Sequence, residues 1–185
     1  MKKFVKKLLL AGVLLGLCGG TALFANGLEN KNAIGVFVLG SEQAVGGIQY
    51  ERRFTDLISG KFGVMAFYNN DTYNSNPFNM NLTVETDFTL FENTWKDKIS
   101  SRLFAYGMVG YLGFIDRSYN YNFEETRSEK QSEKMHNNAV ASVGFGFDFV
   151  FFDHLSVPLQ FGFMGTFPDD PQVGFCGGVA VRYSW

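Results

Sequence analysis

Proline is scarce in this chain of 185 residues, with 4 in all, and cysteine and histidine occur only twice each. Few prolines leave long stretches able to donate every backbone N–H to a ladder, which excludes a proline-rich linker or coil. Two cysteines exclude a disulfide framework: Cys18 lies in a leader-like segment, and Cys176 is left without an intramolecular partner. Two histidines with no cysteine cluster exclude a zinc site of the usual spacing, and no glycine-rich phosphate loop follows a strand, so no metal or cofactor is expected. A basic excess is missing too. The chain has 16 Lys+Arg against 18 Asp+Glu, a net −2. Four of those bases (Lys2, Lys3, Lys6, Lys7) sit at the extreme N-terminus, which leaves the remainder near −6. No basic face remains to neutralise phosphates, so nucleic acid is not an expected partner. Past residue 25 there is no apolar run approaching the roughly 20 residues a membrane helix needs.

What is abundant is phenylalanine and glycine, 21 of each, and they fall into alternation. The last residues carry Val173, Phe175, Val179, Val181, Tyr183 and Trp185 at odd positions and Gly174, Cys176, Gly178, Ala180, Arg182 and Ser184 at even ones. Period 2 with a continuous apolar side suits a strand that faces lipid on one side and a packed, partly polar lumen on the other. At the other end, Lys2 to Lys7 precede an apolar run from Leu8 to Leu17 and then Ala22-Leu23-Phe24-Ala25. This is the layout of a secretory signal peptide over 1–25, cleaved after Ala25 or, as the runner-up, Ala22. A lipoprotein modified at Cys18 is the alternative, disfavoured by the bulk of Leu17.

Eight alternating runs follow within 26–185: 32–40, 46–54, 60–68, 80–90, 100–115, 138–152, 156–167 and 173–185. The fourth is the most regular, with Met80, Leu82, Val84, Thr86, Phe88 and Leu90 opposite Asn81, Thr83, Glu85, Asp87 and Thr89. In the fifth, Phe104, Tyr106, Met108, Leu112 and Phe114 are expected outward, with Ala105, Gly107, Val109, Tyr111 and Gly113 inward. Connections after runs two, four (92–98) and six are short. The long ones are 69–79 and 116–137, although 117–123 still alternates and strand five is expected to project before its loop turns. An even strand count with both termini at one end predicts an all-β, eight-stranded, up-and-down antiparallel barrel spanning a membrane, with no free edge in lipid. The rival is a soluble lipocalin-like barrel with the faces reversed. Whole strands of phenylalanine could not be buried in so small a lumen.

Aromatics outward put Gln49, Asn81 and Gln160 into the lumen with a charge cluster: Glu51, Arg53, Lys61, Glu85, Asp87, Asp148 and Arg182. Charges in a low-dielectric cylinder must pair. The cluster is read as a salt-bridged plug; the alternative is a gated polar path. Inward glycines (Gly107, Gly144, Gly146, Gly162, Gly174, Gly178) predict free volume in the half away from the termini; the alternative is that they only relieve crowding and allow the strong coiling of a small barrel. The 116–137 connection is the candidate binding tip, through Tyr119, Tyr121, Phe123, Glu124, Glu125, Arg127, Lys130 and Lys134; the plainer reading is a solvated loop.

Over its whole mature length the chain resembles the small eight-stranded outer-membrane barrels of the OmpA transmembrane domain, OmpX and OmpW group. The resemblance rests on the signal peptide, the eight segments, the loop asymmetry and the ending Val179-Ala180-Val181-Arg182-Tyr183-Ser184-Trp185. It implies that Val179, Val181, Tyr183 and Trp185 act as the C-terminal assembly signal, with outer-membrane lipid and the outer-membrane assembly machinery as partners. It also implies a monomer in the cell outer membrane with a structural or adhesin-like role, an extracellular or host ligand being met by the loops. The alternative is a narrow porin-like or OmpW-like channel for small solutes; inward polar residues argue against the apolar OmpW lumen. Met135-His136-Asn137-Asn138 loosely resembles the His-x-Ser-Asn stretch of lipid A 3-O-deacylases. Asn138 stands where the nucleophilic serine belongs, so no enzyme is expected.

Overall fold

In a computed structural model, residues 30–41, 43–69, 76–95, 99–122, 127–169 and 171–185 are described. The expected signal peptide, its cleavage sites and Cys18 lie outside them. Eight strands occupy nearly everything else: β1 (Asn32–Gly40), β2 (Ala44–Arg53), β3 (Ile58–Tyr68), β4 (Phe78–Trp95), β5 (Ile99–Asn122), β6 (Arg127–Phe151), β7 (Leu155–Pro168) and β8 (Gln172–Ser184). They pair antiparallel in chain order and close into a barrel. The seam runs from Ala33↔Ser184 to Gly40↔Gly177 and is locked by reciprocal backbone bonds between Asn32 and Trp185, 3.1 and 2.9 Å. The terminal alternating segment is therefore the closing strand. Both ends of the described barrel chain, and the turns after β2, β4 and β6, lie at what is here called the near end.

Alternation along β2, β3, β4, β6, β7 and β8 puts the faces where the sequence pattern places them; β1, for which the sequence reading gives no faces, turns Phe37 inward and Ile34, Val36 and Val38 outward. Ile34, Val36, Phe62, Val84, Phe145, Phe161, Phe163 and Phe175 form an exposed apolar outer wall. Gln49, Glu51, Lys61, Asn81, Glu85, Asp87, Asp148, Gln160 and Arg182 are buried inside.

β5 is the exception and corrects the expectation. Phe104, Tyr106, Met108 and Leu112 point inward and are buried, while Val109 on the opposite row is 62% exposed. Both rows of β5 are uncharged from Leu103 to Ile115, so hydropathy alone cannot rank them. Volume and register do. Tyr106 lies in one row with Gly144, Gly162 and Cys176 across β5–β8. Gly162 gives the phenol its space, since a Cβ there would stand 2.9 Å from Tyr106 Oη, and Gly146 does the same for Phe104, where a Cβ would lie only 2.3 Å from Cζ. Gly107, taken as inward, faces out with nothing within 4 Å of a built Cβ. Gly146, Gly162 and Gly178 thus make room for Phe104, Tyr106 and Leu39, whereas a Cβ at Gly174 would meet nothing nearer than Ser41 at 3.7 Å.

Two boundaries also shift. β4 runs through the expected 92–98 turn to Trp95 because a bulge at Leu90, between Thr89↔Phe104 and Phe91↔Leu103, changes its phase. One extra residue turns Glu92 inward and Phe91 outward. The expected 116–137 loop is mostly strand: β5 and β6 stay paired from Ile115↔Met135 to Asn122↔Arg127, with one bulge at Ser118/Tyr119. Since β4 begins at Phe78, paired Asn79↔Phe114, and β7 ends opposite Asn138, this hairpin projects beyond the barrel's far end. Strand five does project, as its alternation predicts.

Candidate functional site

The near half of the lumen is filled by charge. Lys61 and Glu85 are direct cross-strand partners, and Lys61 Nζ lies 2.6 Å from Glu85 Oε1 and 2.7 Å from Asp87 Oδ2. Arg102, opposite Asp148 in the β5–β6 ladder, reaches Glu51 at 3.0 Å, Asp148 at 3.1 Å and Asp87 at 3.6 Å. Arg182 closes the ring on Glu51 and Asp148. β1 contributes no charge, but Gly35 opposite Arg182 leaves the guanidinium stem its path, since a Cβ there would meet Arg182 Cγ at 2.8 Å. β7 supplies neutral donors: Gln160 Nε2 to Glu85 at 2.6 Å and Ser156 Oγ to Asp148 at 2.7 Å. Four carboxylates and three cations are therefore interlocked through six strands. Each is nearly inaccessible to water, as such pairs must be if their desolvation is to be offset by several partners at once.

Six of the seven cluster residues expected from sequence meet here, and the seventh does not. Arg53 sits at the near rim with a single 3.5 Å contact to Glu92. Its place in the ring is taken by Arg102, which sequence reading missed because the β5 faces were exchanged. The available signal was that Arg102 shares parity with Phe104 and that four inward acids faced only three expected bases, one of them terminal on its strand.

Phe104 marks the boundary between layers. Its ring lies 4.7 Å from Lys61 Nζ and 5.1 Å from Arg102 Cζ, within cation–π range. On its far side the lumen is apolar, packed by Phe37, Leu39, Val45, Met108, Val140 and Met164. The far half is thus apolar at its centre, with Thr83 and Ser142 buried beside the cluster and Asn81, Asn138 and Thr166 buried towards the far end. Cys176 is buried in the cluster, 3.7 Å from Tyr106 Oη and 3.5 Å from Ser142 Oγ. A recess of about 20 Å³ opens at the near end against Glu51, Arg53, Arg102 and Asp148, room for about one water.

The C-terminal row is outward, with Val179, Val181, Tyr183 and Trp185 all exposed. Tyr183 stacks between His154 at 5.4 Å and Trp185 at 6.4 Å. Of the expected tip, Phe123, Glu124 and Glu125 lie outside the described residues. Tyr119 and Tyr121 are placed on β5 and Arg127 and Lys130 on β6, by backbone; Lys134 is exposed. Below them Arg117 Nε pairs with Glu133 at 2.9 Å and Ser118 with Ser132 at 2.8 Å, stiffening the hairpin stem. His136 is stacked on Phe114, and the buried Asn138 accepts the Asp169 N–H at 3.0 Å. Among the described residues no group of three His, Cys, Asp or Glu could hold a metal.

With this geometry the chain is similar in fold to small eight-stranded outer-membrane barrels. The N-terminal β-barrel domain of Pseudomonas aeruginosa OprF matches with a TM-score of 0.52 at 11% identity, over 84% of this chain and 98% of that one. Ail, the attachment invasion locus protein of Yersinia pestis, matches with a TM-score of 0.42 at 11% identity, over 84% and 97%. No family model matches the sequence, and no curated protein matches it.

Proposed function

We propose that this chain is a monomeric, non-enzymatic integral barrel of a bacterial outer membrane, held closed by its own side chains, whose work is done by the projecting β5–β6 hairpin. The membrane reading is supported by an outer wall of exposed Phe, Val, Ile and Leu that circles the barrel, a surface far larger than the apolar patches water-soluble monomers tolerate. The observation that carries the closed reading is the filling of the lumen by buried side chains, a charged ring below Phe104 and a mainly apolar cluster above it. A solute would have to part both layers, and the near-end recess admits about one water. Catalysis has little support: His136 is stacked rather than beside a hydroxyl nucleophile, and Asn138 is engaged with Asp169. The near end would face the periplasm and the hairpin the outside, where a rigid scaffold presents a binding tip.

Two measurements test this. Protein refolded into planar bilayers is expected to give no stable openings; stable openings altered by Arg182→Ala or Glu51→Ala would replace the closed barrel with a narrow conduit. Cells expressing the protein are expected to adhere to extracellular matrix, and to lose adhesion on deletion of residues 124–134 while the barrel keeps its heat-modifiable migration. Adhesion unchanged by that deletion would leave a purely structural role.

A further inference from the structure

At the near end, the rim around the β2–β3 turn carries a hollow that the charged ring does not fill. It holds about 220 Å³, against about 20 Å³ in the recess beside it, and is lined by Lys31, Arg53, Phe54, Thr55 and Asp56. Lys31, Phe54, Thr55 and Asp56 are exposed, so its walls can be reached from outside. Thr55 Oγ1 accepts the N–H groups of Leu57 at 3.3 Å and Ile58 at 3.0 Å, which pins the turn that carries Asp56. Lys31 and Asp56 have no ion-pair partner among the described residues, and Arg53 has its single 3.5 Å contact with Glu92. Two cations and one carboxylate thus stand around an open volume.

The hollow also borders the lipid wall. Tyr50, Arg52 and Phe54 follow one another on the outward row that β2 carries into its turn. The Phe54 ring lies across Gly60 of β3, where a built Cβ would stand 2.8 Å from Phe54 Cε2. Tyr50 and Arg52 both donate to Asn32 Oδ1, at 2.8 and 2.9 Å. With the exposed Tyr183 and Trp185 of the β8 end, they make a polar and aromatic belt of the kind found where hydrocarbon meets headgroups.

We propose that this hollow seats the phosphoethanolamine headgroup of a membrane lipid, its phosphate on Lys31 and Arg53 and its ammonium on Asp56. The assignment rests on the membrane reading above. A zwitterion answers two cations and one carboxylate without stranding either sign. A primary ammonium donates N–H bonds that the Asp56 carboxylate accepts. A choline headgroup has the same charges but no N–H, and a glycerol headgroup leaves Asp56 without a counter-charge. A lipid fits better than a soluble zwitterion because Phe54 joins the hollow to the wall, where acyl chains can follow the exposed Phe62 and Val64 along β3. The seat lies at the opposite end from the projecting hairpin and does not depend on its role in adhesion.

The test is native mass spectrometry of the folded protein released from polyoxyethylene micelles. The micelles are doped with equal amounts of phosphatidylethanolamine, phosphatidylcholine and phosphatidylglycerol of the same acyl chains. Phosphatidylethanolamine adducts are expected to exceed each of the others by at least about threefold, the scale of a solvent-exposed ion pair. Lys31→Gln and Arg53→Gln should each lower those adducts, and Asp56→Asn should abolish the preference over phosphatidylcholine, all with heat-modifiable migration kept. Equal retention of the three lipids would overturn the proposal, as would a preference that survives Asp56→Asn. Displacement of the lipid by free phosphoethanolamine at the same concentration would assign the hollow to a soluble ligand and overturn the lipid. Insertion into vesicles is scored separately: a protein that does not insert sinks the membrane reading, and one that inserts without the preference sinks only the headgroup seat.

Discussion

The two halves of the lumen are closed by opposite means. On the near side of Phe104, four carboxylates and three cations hold one another through contacts of 3.6 Å or less, and their tolerance is for volume rather than for charge. On the far side, phenylalanine, tyrosine, leucine and methionine fit against glycines, and the tolerance is reversed. One substitution in the ring strands a charge; one added methyl group in the apolar layer strands nothing but finds no room. A barrel this narrow can be sealed either way, and this one uses both in series, so opening a path requires disrupting two unlike kinds of packing.

The largest effect should come from breaking the ring at its centre. Arg102→Met leaves Glu51, Asp148 and Asp87 short of a shared cation in a water-free interior, and the expected loss is about 3–5 kcal/mol. Urea unfolding in lipid vesicles, followed by tryptophan fluorescence, would measure it. A neutral result would mean that the seven charges are not interlocked and that the near half is no different in kind from the far half.

The next effect belongs to the apolar layer and to the corrected face of β5. Gly146→Ala would bring its Cβ to 2.3 Å from Phe104 Cζ and 2.8 Å from the Leu159 carbonyl, an overpacking expected to cost about 1–3 kcal/mol. Gly107→Ala, two residues from Ala105 on the outward row, meets nothing within 4 Å and should fall within about 0.5 kcal/mol of the wild type. Equal losses at the two glycines in the same unfolding assay would undo the assignment of the β5 faces.

Much of this was legible in the sequence because charge breaks the twofold ambiguity of alternation. Glu85 and Asp87 on β4, and Asp148 among the phenylalanines of β6, declare which row is inside, so strand count, closing strand and most of the ring follow. β5 carries no charge between Arg102 and Asp116, and either of its rows could line a lumen until the glycine row of β6 and β7 is set beside it. The length of the projecting hairpin was hidden for a different reason. The residues of β6 from Arg127 to Asn137 are almost all polar, and polar residues on both faces look like loop when no face is buried to select a register.

The smallest effect separates the rim from the ring. Arg53 and Glu92 form a pair of the same chemistry as the interior ones, brought together by the Leu90 bulge, yet they share one 3.5 Å contact and Arg53 lines the near-end recess. A double-mutant cycle with Arg53→Ala and Glu92→Ala is expected to give a coupling of about 1 kcal/mol, at the low end for contacting charges. Because the Arg53 side chain at the rim is 9% exposed against 1% for Arg102, that coupling should shrink more than the Arg102 effect as salt is raised. The sign of the comparison matters more than its size. A rim coupling that resists salt would place Arg53 inside the same water-free ring as Arg102 and extend the charged layer to the mouth. A ring effect that fades with salt would mean that ions already reach Glu51 and Asp148, and the near half would then be a vestibule rather than a seal.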